Sequence, residues 1–312
     1  MLSVFESIFP VILITALGYL VASRRLLSAG EIDGLSRFVF SLALPFLLFD
    51  SLVNAVWPES FHWTFFFAFY AVSYLIFGLG ILVSRSWFQL GSAEQAMFGL
   101  GASYSNLVIV GLPIIAAGLG EQAILPLLAL VSIQNLLLFP LVMLFAHPKE
   151  PGTHMVSRLW KSISRVATNP LMIGLALGFL VKLLSVQMPR LVADPIHLIA
   201  QTGLPCALIV LGASFHRYKV GKPSREALTM VGLKMILQPL LVWVLVFALL
   251  HLDPLWASVA VMAAGMPTGI NSYVMAEQMS AGQRFVSASI WISTLLAVVT
   301  QAGLLAVFTS QG

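Results

Sequence analysis

An all-helical membrane protein of ten spans, arranged as two inverted five-helix repeats, follows from three features of this sequence. Charged residues make up only 9% of the 312 and hydrophobic residues 59%. Apolar runs of span length recur from one end to the other, and the second half repeats the first at an offset of 160 residues. A soluble domain carries about 25% charged residues, so this chain has too little charge to cover a surface facing water. Each run of about 20 apolar residues can cross a hydrocarbon core of roughly 30 Å as a helix.

The spans are expected near 4–22, 37–56, 61–83, 96–118 and 122–146, then near 169–187, 195–215, 227–250, 255–277 and 285–308. Between the two sets lies HPKEPGTHMVSRLWKSISRVATN, whose Pro, Gly and charge content is that of a linker. The chain therefore divides into a first repeat (1–146), a cytoplasmic linker (147–168) and a second repeat (169–312). The opening stretch MLSVFESIFP has no Lys or Arg, so no cleavable signal peptide is expected and the first span is retained.

Loop charges orient the spans. The loops after spans one, three, five, seven and nine hold thirteen of the sixteen Lys and Arg residues. By the positive-inside rule these loops are cytoplasmic, which puts both termini outside the cell (inner) membrane. The sequence pI of 9.4 thus reports topology rather than a nucleic-acid partner. The single cysteine, Cys206, permits no disulfide within the chain and reads as a packing residue. The six histidines show no metal-ligand spacing, and no nucleophile motif, phosphate loop or paired acids appear. No enzyme chemistry, cofactor or metal is expected.

The repeat rests on rare residues in register. PVILITALGYLV from Pro10 aligns with PLMIGLALGFLV from Pro170, so Gly18 falls on Gly178, and Leu44-Pro45 falls on Leu204-Pro205. Five spans is an odd number, so the second copy enters the membrane from the opposite face, an architecture of secondary transporters.

The same offset joins two unusual stretches, SNLVIVGLP (105–113) and GMPTGINSY (265–273). Each sets Asn, Gly and Pro inside an otherwise apolar span. Proline removes a backbone donor and clashes with the preceding turn. Unwound backbone at bilayer depth is tolerated only in protein or beside a cavity. An isolated Pro-Gly pair would read as a kink. Two at equivalent positions, each with an Asn, favour broken helices whose positive N-terminal ends face a bound anion. Asn106, Gly111, Pro113, Pro267, Gly269 and Asn271 are accordingly the candidate substrate-binding residues, whereas Pro45, Pro140, Pro205 and Pro239 read as kinks or packing features.

The segments LALPFLLFDSL, SNLVIVGLPIIAAGLGEQA, LKMILQPLL and MPTGINSYVMAEQ, in that order, make the chain resemble the auxin efflux carrier family in its bacterial form. The resemblance implies two crossed, broken helices in a transport domain of spans three to five and eight to ten. It implies a dimerising scaffold of spans one, two, six and seven, and movement like an elevator. The implied substrates are organic anions such as auxin, malonate or malate. Asn106, Pro113 and Pro267 match the family's crossover pattern, and Asn271 follows its second half.

Coupling or gating candidates are few. Asp50 reads equally as a proton or sodium residue and as an acid near the outer interface. Gln134 and Asn135 can line the crossover cavity or bond neighbouring helices. Glu277, like Glu121, follows a broken helix and reads as a gate or as a solvated helix end. Lys234 is expected to snorkel toward the cytoplasmic face. The function expected is a secondary carrier of a small organic anion, acting as a homodimer in the bilayer. The alternatives are a sodium- or proton-coupled carrier of the same architecture and a membrane receptor or enzyme without transport.

Overall fold

A computed structural model of the chain describes residues 2–54, 63–146, 170–217 and 223–309. These are helical, and the only extended pairing among them is an isolated antiparallel bridge between Ser105 and Thr268. The first half holds α1 (Leu2–Ser23), α2 (Ala29–Asn54), α3 (Trp63–Phe88), α4 (Ser92–Ser103), α5 (Leu107–Leu119) and α6 (Glu121–Ala146). The second holds α7 (Pro170–Leu183), α8 (Arg190–Gln201), α9 (Gly203–Arg217), α10 (Arg225–Leu249), α11 (Pro254–Ala264), α12 (Ile270–Gln278) and α13 (Gln283–Thr309). The expected linker, 147–168, lies outside the described residues.

By length and composition alone, five of these segments can cross a membrane. They are α2, α3, α6, α10 and the stretch Arg190–Val210 of α8 and α9. Counting Gln283–Ala297 and Val299–Phe308 of α13, bent by 43°, as one span makes six. The chain is a multi-pass membrane protein. The expected fourth and ninth spans are each two short helices, α4 with α5 and α11 with α12, because their middles are not helical.

Local signals set several helix ends. Ser28 and Glu31 form a reciprocal capping box at the start of α2. Asp253 accepts from the amides of Leu255 and Trp256 ahead of Pro254, which closes the N-terminus of α11. Left-handed residues end other helices, among them Arg25 and Ser185, and Gly120 and Ser280. Each of those two pairs is separated by 160 residues. Hydrogen bonds follow the same register: Leu26 N donates to Val21 O, and Val186 N to Val181 O.

Prolines shape the helix interiors. Wide π-helical turns occupy Val39–Ala43, Leu107–Gly111 and Leu233–Leu237, and each ends two residues before a proline: Pro45, Pro113 and Pro239. Proline leaves the carbonyl four residues earlier without its usual donor and crowds it, and widening the turn relieves both. The prolines at 45 and 239 therefore do more than kink their helices: they open the turns that face the centre of the molecule.

Two seams lie beside this centre, α1 against α9 and α2 against α7. Both depend on glycine. A Cβ at Gly212 would lie 2.8 Å from the Tyr19 amide nitrogen of α1, and one at Gly174 would lie 2.9 Å from the Pro45 carbonyl carbon of α2. Without an apolar solvent effect between helices in lipid, such close backbone approach supplies the packing. The innermost helices are α4 and α11, whose residues Ala96–Ser103 and Trp256–Ala264 are buried throughout.

Candidate functional site

The interrupted segments meet at the end of these two buried helices. Asn106 N donates to Pro267 O at 2.9 Å, and Gly269 N donates to Tyr104 O at 2.9 Å. The two unwound stretches thus satisfy each other's backbone, as burial without water requires. Side chains complete the bonding. Gln134 Nε2 donates to Ser105 O at 2.9 Å, Thr268 Oγ1 to Gly101 O at 3.0 Å, and Ser293 Oγ accepts from Thr268 N at 3.1 Å.

Helix α10 holds the C-terminal ends of both buried helices. Lys234 Nζ donates to Ala264 O, the last residue of α11, and Gln238 Nε2 donates to Ser103 O, the last of α4, at 3.2 Å. The two side chains stand four residues apart, on one face of α10. Carbonyls at a helix C-terminus lack intrahelical donors and carry partial negative charge, so an amine and an amide are apt partners. Lys234 is fully buried and does not snorkel. The expectation fails because the π-helical turn points the side chain inward, where an orphan carbonyl waits. Lys234→Ala should lower unfolding stability by about 2–4 kcal/mol, from the unpartnered carbonyl and the lost packing together. Lys234→Met should restore only the packing share. Thermal unfolding in detergent measures both, and an Ala variant as stable as the parent would reject the capping role.

A cavity of about 290 Å³ opens beside the junction. The first turns of α5 (Leu107, Val108, Ile109) and α12 (Ile270, Asn271) line it, together with Tyr104, Ser105 and Asn106. Val131, Gln134 and Asn135 of α6, Phe40 and Ser41 of the α2 π-turn, and Pro170 and Leu171 of α7 are the other lining residues among those described. No charged side chain is among these residues. The polar wall is made of amides and hydroxyls, and the Asn106 side chain accepts or donates no hydrogen bond among the described residues. Ser105 Oγ and Gln134 Oε1 are buried and likewise lack a partner among them.

The structure therefore brings Asn106, Asn271, Gln134 and Asn135 to one cavity, and places the other candidates elsewhere. Pro267 offers its carbonyl to Asn106, and Gly111 N bonds Asn106 O within the wide turn. Pro113 is buried in the first turn of helix Leu112–Leu119. Gly269 leaves room for the Tyr104 ring, which a Cβ there would strike. Glu277 is on α12, but its side chain lies outside the described residues. Glu121 is exposed where α6 begins.

Asp50 stands apart from the cavity. Its Oδ2 is 2.8 Å from His197 Nδ1, and His197 Nε2 is 2.8 Å from Gln201 Nε2. With the ring proton on Nδ1, His197 donates to Asp50 while its Nε2 accepts from the Gln201 amide. An Asn side chain can accept the same bond. Asp50→Asn should leave anion uptake unchanged in reconstituted vesicles, and loss of uptake would restore Asp50 as a coupling residue.

Sequence reasoning missed Tyr104, Gln238 and the inward Lys234. The spacing of four in LKMILQP was a usable signal for the α10 pair. The place of Tyr104 inside the break, two residues before Asn106, was the signal for the third.

A family model described as "Membrane transport protein" matches residues 3–305. A Rhizobium meliloti (strain 1021) protein named "Putative malonate transporter" is 30% identical over 297 residues, which cover 93% of this chain and 91% of that protein. The "Uncharacterized transporter YfdV" of Escherichia coli (strain K12) is 24% identical over 299 residues, 94% of each chain.

Proposed function

Because the chain belongs to the membrane transport protein family, the auxin efflux carriers its sequence resembles, and so is a transporter and not an enzyme, we propose that it carries small organic anions through the cavity beside the junction. One observation carries this reading. Both α5 and α12 turn their N-terminal ends to a cavity whose described wall carries side-chain amides and no charged side chain. Helix N-termini present unpaired N–H groups and partial positive charge, so together they offset a carboxylate without a cation. Asn106 and Asn271 would bind the substrate, with Gln134 and Asn135 beside them. The name of the Rhizobium meliloti relative makes malonate the first substrate to test.

The mechanism proposed is alternating access. Helices α3 to α6 with α10 to α13 form the moving transport domain, and α1, α2 and α7 to α9 form the scaffold of a homodimer. The seams of α1 with α9 and α2 with α7 support that grouping, and the paired left-handed caps 160 residues apart support two repeats, 1–146 and 169–312, inverted in ten spans. Both termini would face outward from the cell membrane. An inside-negative potential of about 100 mV favours exit of an anion by roughly 2.3 kcal/mol per charge, so efflux is the direction proposed.

The test is current on a solid-supported membrane when mono- and dicarboxylates are added, with and without sodium. A sodium-independent malonate current supports the reading. Current only with sodium would replace it by a coupled symporter.

A further inference from the structure

We infer that Tyr104 is a positioning residue, whose hydroxyl, itself anchored by the Asn271 amide, holds the Asn135 carbonyl so that the Asn135 NH₂ faces the cavity as a donor to a carboxylate. The inference rests on the anion reading above. Tyr104 sits inside the break of the fourth span, 4% exposed, with its ring stacked on Phe139 at 5.7 Å between centroids. Its hydroxyl lies 2.6 Å from Asn135 Oδ1 and 2.8 Å from Asn271 Nδ2. A phenol has one proton to give, and it gives it to the Asn135 carbonyl while accepting from the Asn271 amide. The chain of bonds therefore runs one way, from Asn271 through Tyr104 to Asn135.

That direction has a chemical consequence. With Oδ1 held by the hydroxyl, the Asn135 side chain can present only its NH₂ to the cavity. Without the hydroxyl, either end of the amide could face a ligand, and the carbonyl end repels a carboxylate. Gly269 makes the arrangement possible, since any Cβ there would displace the Tyr104 ring. Phe139 stacks on the same ring. The bridge also ties the first repeat to the second, because Asn271 comes from α12 and Asn135 from α6.

The experiment compares the parent with Tyr104→Phe, and uses Tyr74→Phe as control, since the Tyr74 hydroxyl faces the Leu137 carbonyl instead. In proteoliposomes the Tyr104→Phe variant should raise the malonate KM about tenfold, the worth of one oriented hydrogen bond, and keep its maximal rate. A fall in maximal rate with unchanged KM, or an unchanged KM, would overturn the positioning role. Independently of any substrate, the side-chain ¹⁵N amide signals of Asn135 and Asn271 in lipid-reconstituted protein should both move in Tyr104→Phe and stay in Tyr74→Phe. Unmoved signals would overturn the bridge. Moved signals with no malonate current in the parent would support the bridge and overturn the anion reading instead.

Discussion

Asn106→Ala is expected to lower anion uptake about 10- to 100-fold while the protein remains folded. The Asn106 backbone, not its side chain, joins the two interrupted segments through its N–H to Pro267 O, and its carbonyl accepts from Gly111 N within its own turn. Alanine keeps both bonds. The side-chain amide has no hydrogen bond among the described residues, so its removal orphans no protein group. A hydrogen bond to a charged group contributes about 1.5–3 kcal/mol, and each 1.4 kcal/mol is about tenfold. Uptake of malonate into proteoliposomes, with a melting curve on the same sample, reads the effect. Full uptake would remove Asn106 from the site. Lost uptake with a collapsed melting temperature would show that the residue serves the fold.

Gly212→Leu should have the largest effect on stability, about 3 kcal/mol or more, and should prevent recovery of monodisperse protein. Overpacking a core usually costs about 1–3 kcal/mol because side chains can shift. Here the obstacle is backbone: a Cβ at 212 would lie 2.8 Å from Tyr19 N and 2.9 Å from the Thr15 carbonyl carbon. Main chain in a helix cannot move aside without separating α1 from α9. Gly303→Leu is the matched control, since nothing lies within 4 Å of the Cβ it would gain. Size-exclusion profiles of the two variants decide the matter. A well-behaved Gly212→Leu protein would show that the seam is looser than its geometry.

Much of the fold was legible because the bilayer restricts the choices. An apolar run long enough to span must be helical, since no water can satisfy its backbone. Helices or helix pairs accordingly run through the described parts of the expected spans, and five or six of these are long and apolar enough to cross a membrane. The two breaks were legible for a related reason, because Pro, Gly and Asn together inside an apolar run have few uses other than an opened turn. Four of the candidate polar residues, Asn106, Asn271, Gln134 and Asn135, line one cavity. The partner of Asp50 was not legible: rarity of acids in a span draws attention to it, but rarity says nothing about which neighbour it meets.

What the sequence determined by itself is class, helix content, the positions of the two interruptions and the family. Each depends on composition, local backbone chemistry or order along the chain. Tertiary structure alone decided which unpaired groups found each other. Lys234 could have reached the interface on its long stem, yet a wide turn before Pro239 directs it to the open end of α11. Tyr104 could have packed as any aromatic, yet its hydroxyl joins amides 31 and 167 residues away. Distances of that kind are set by how helices stack, and stacking in a membrane is set by close fits such as Gly212 on Thr15 and Tyr19. A buried polar group must find a partner somewhere, and the sequence names the groups without saying which partner it will be.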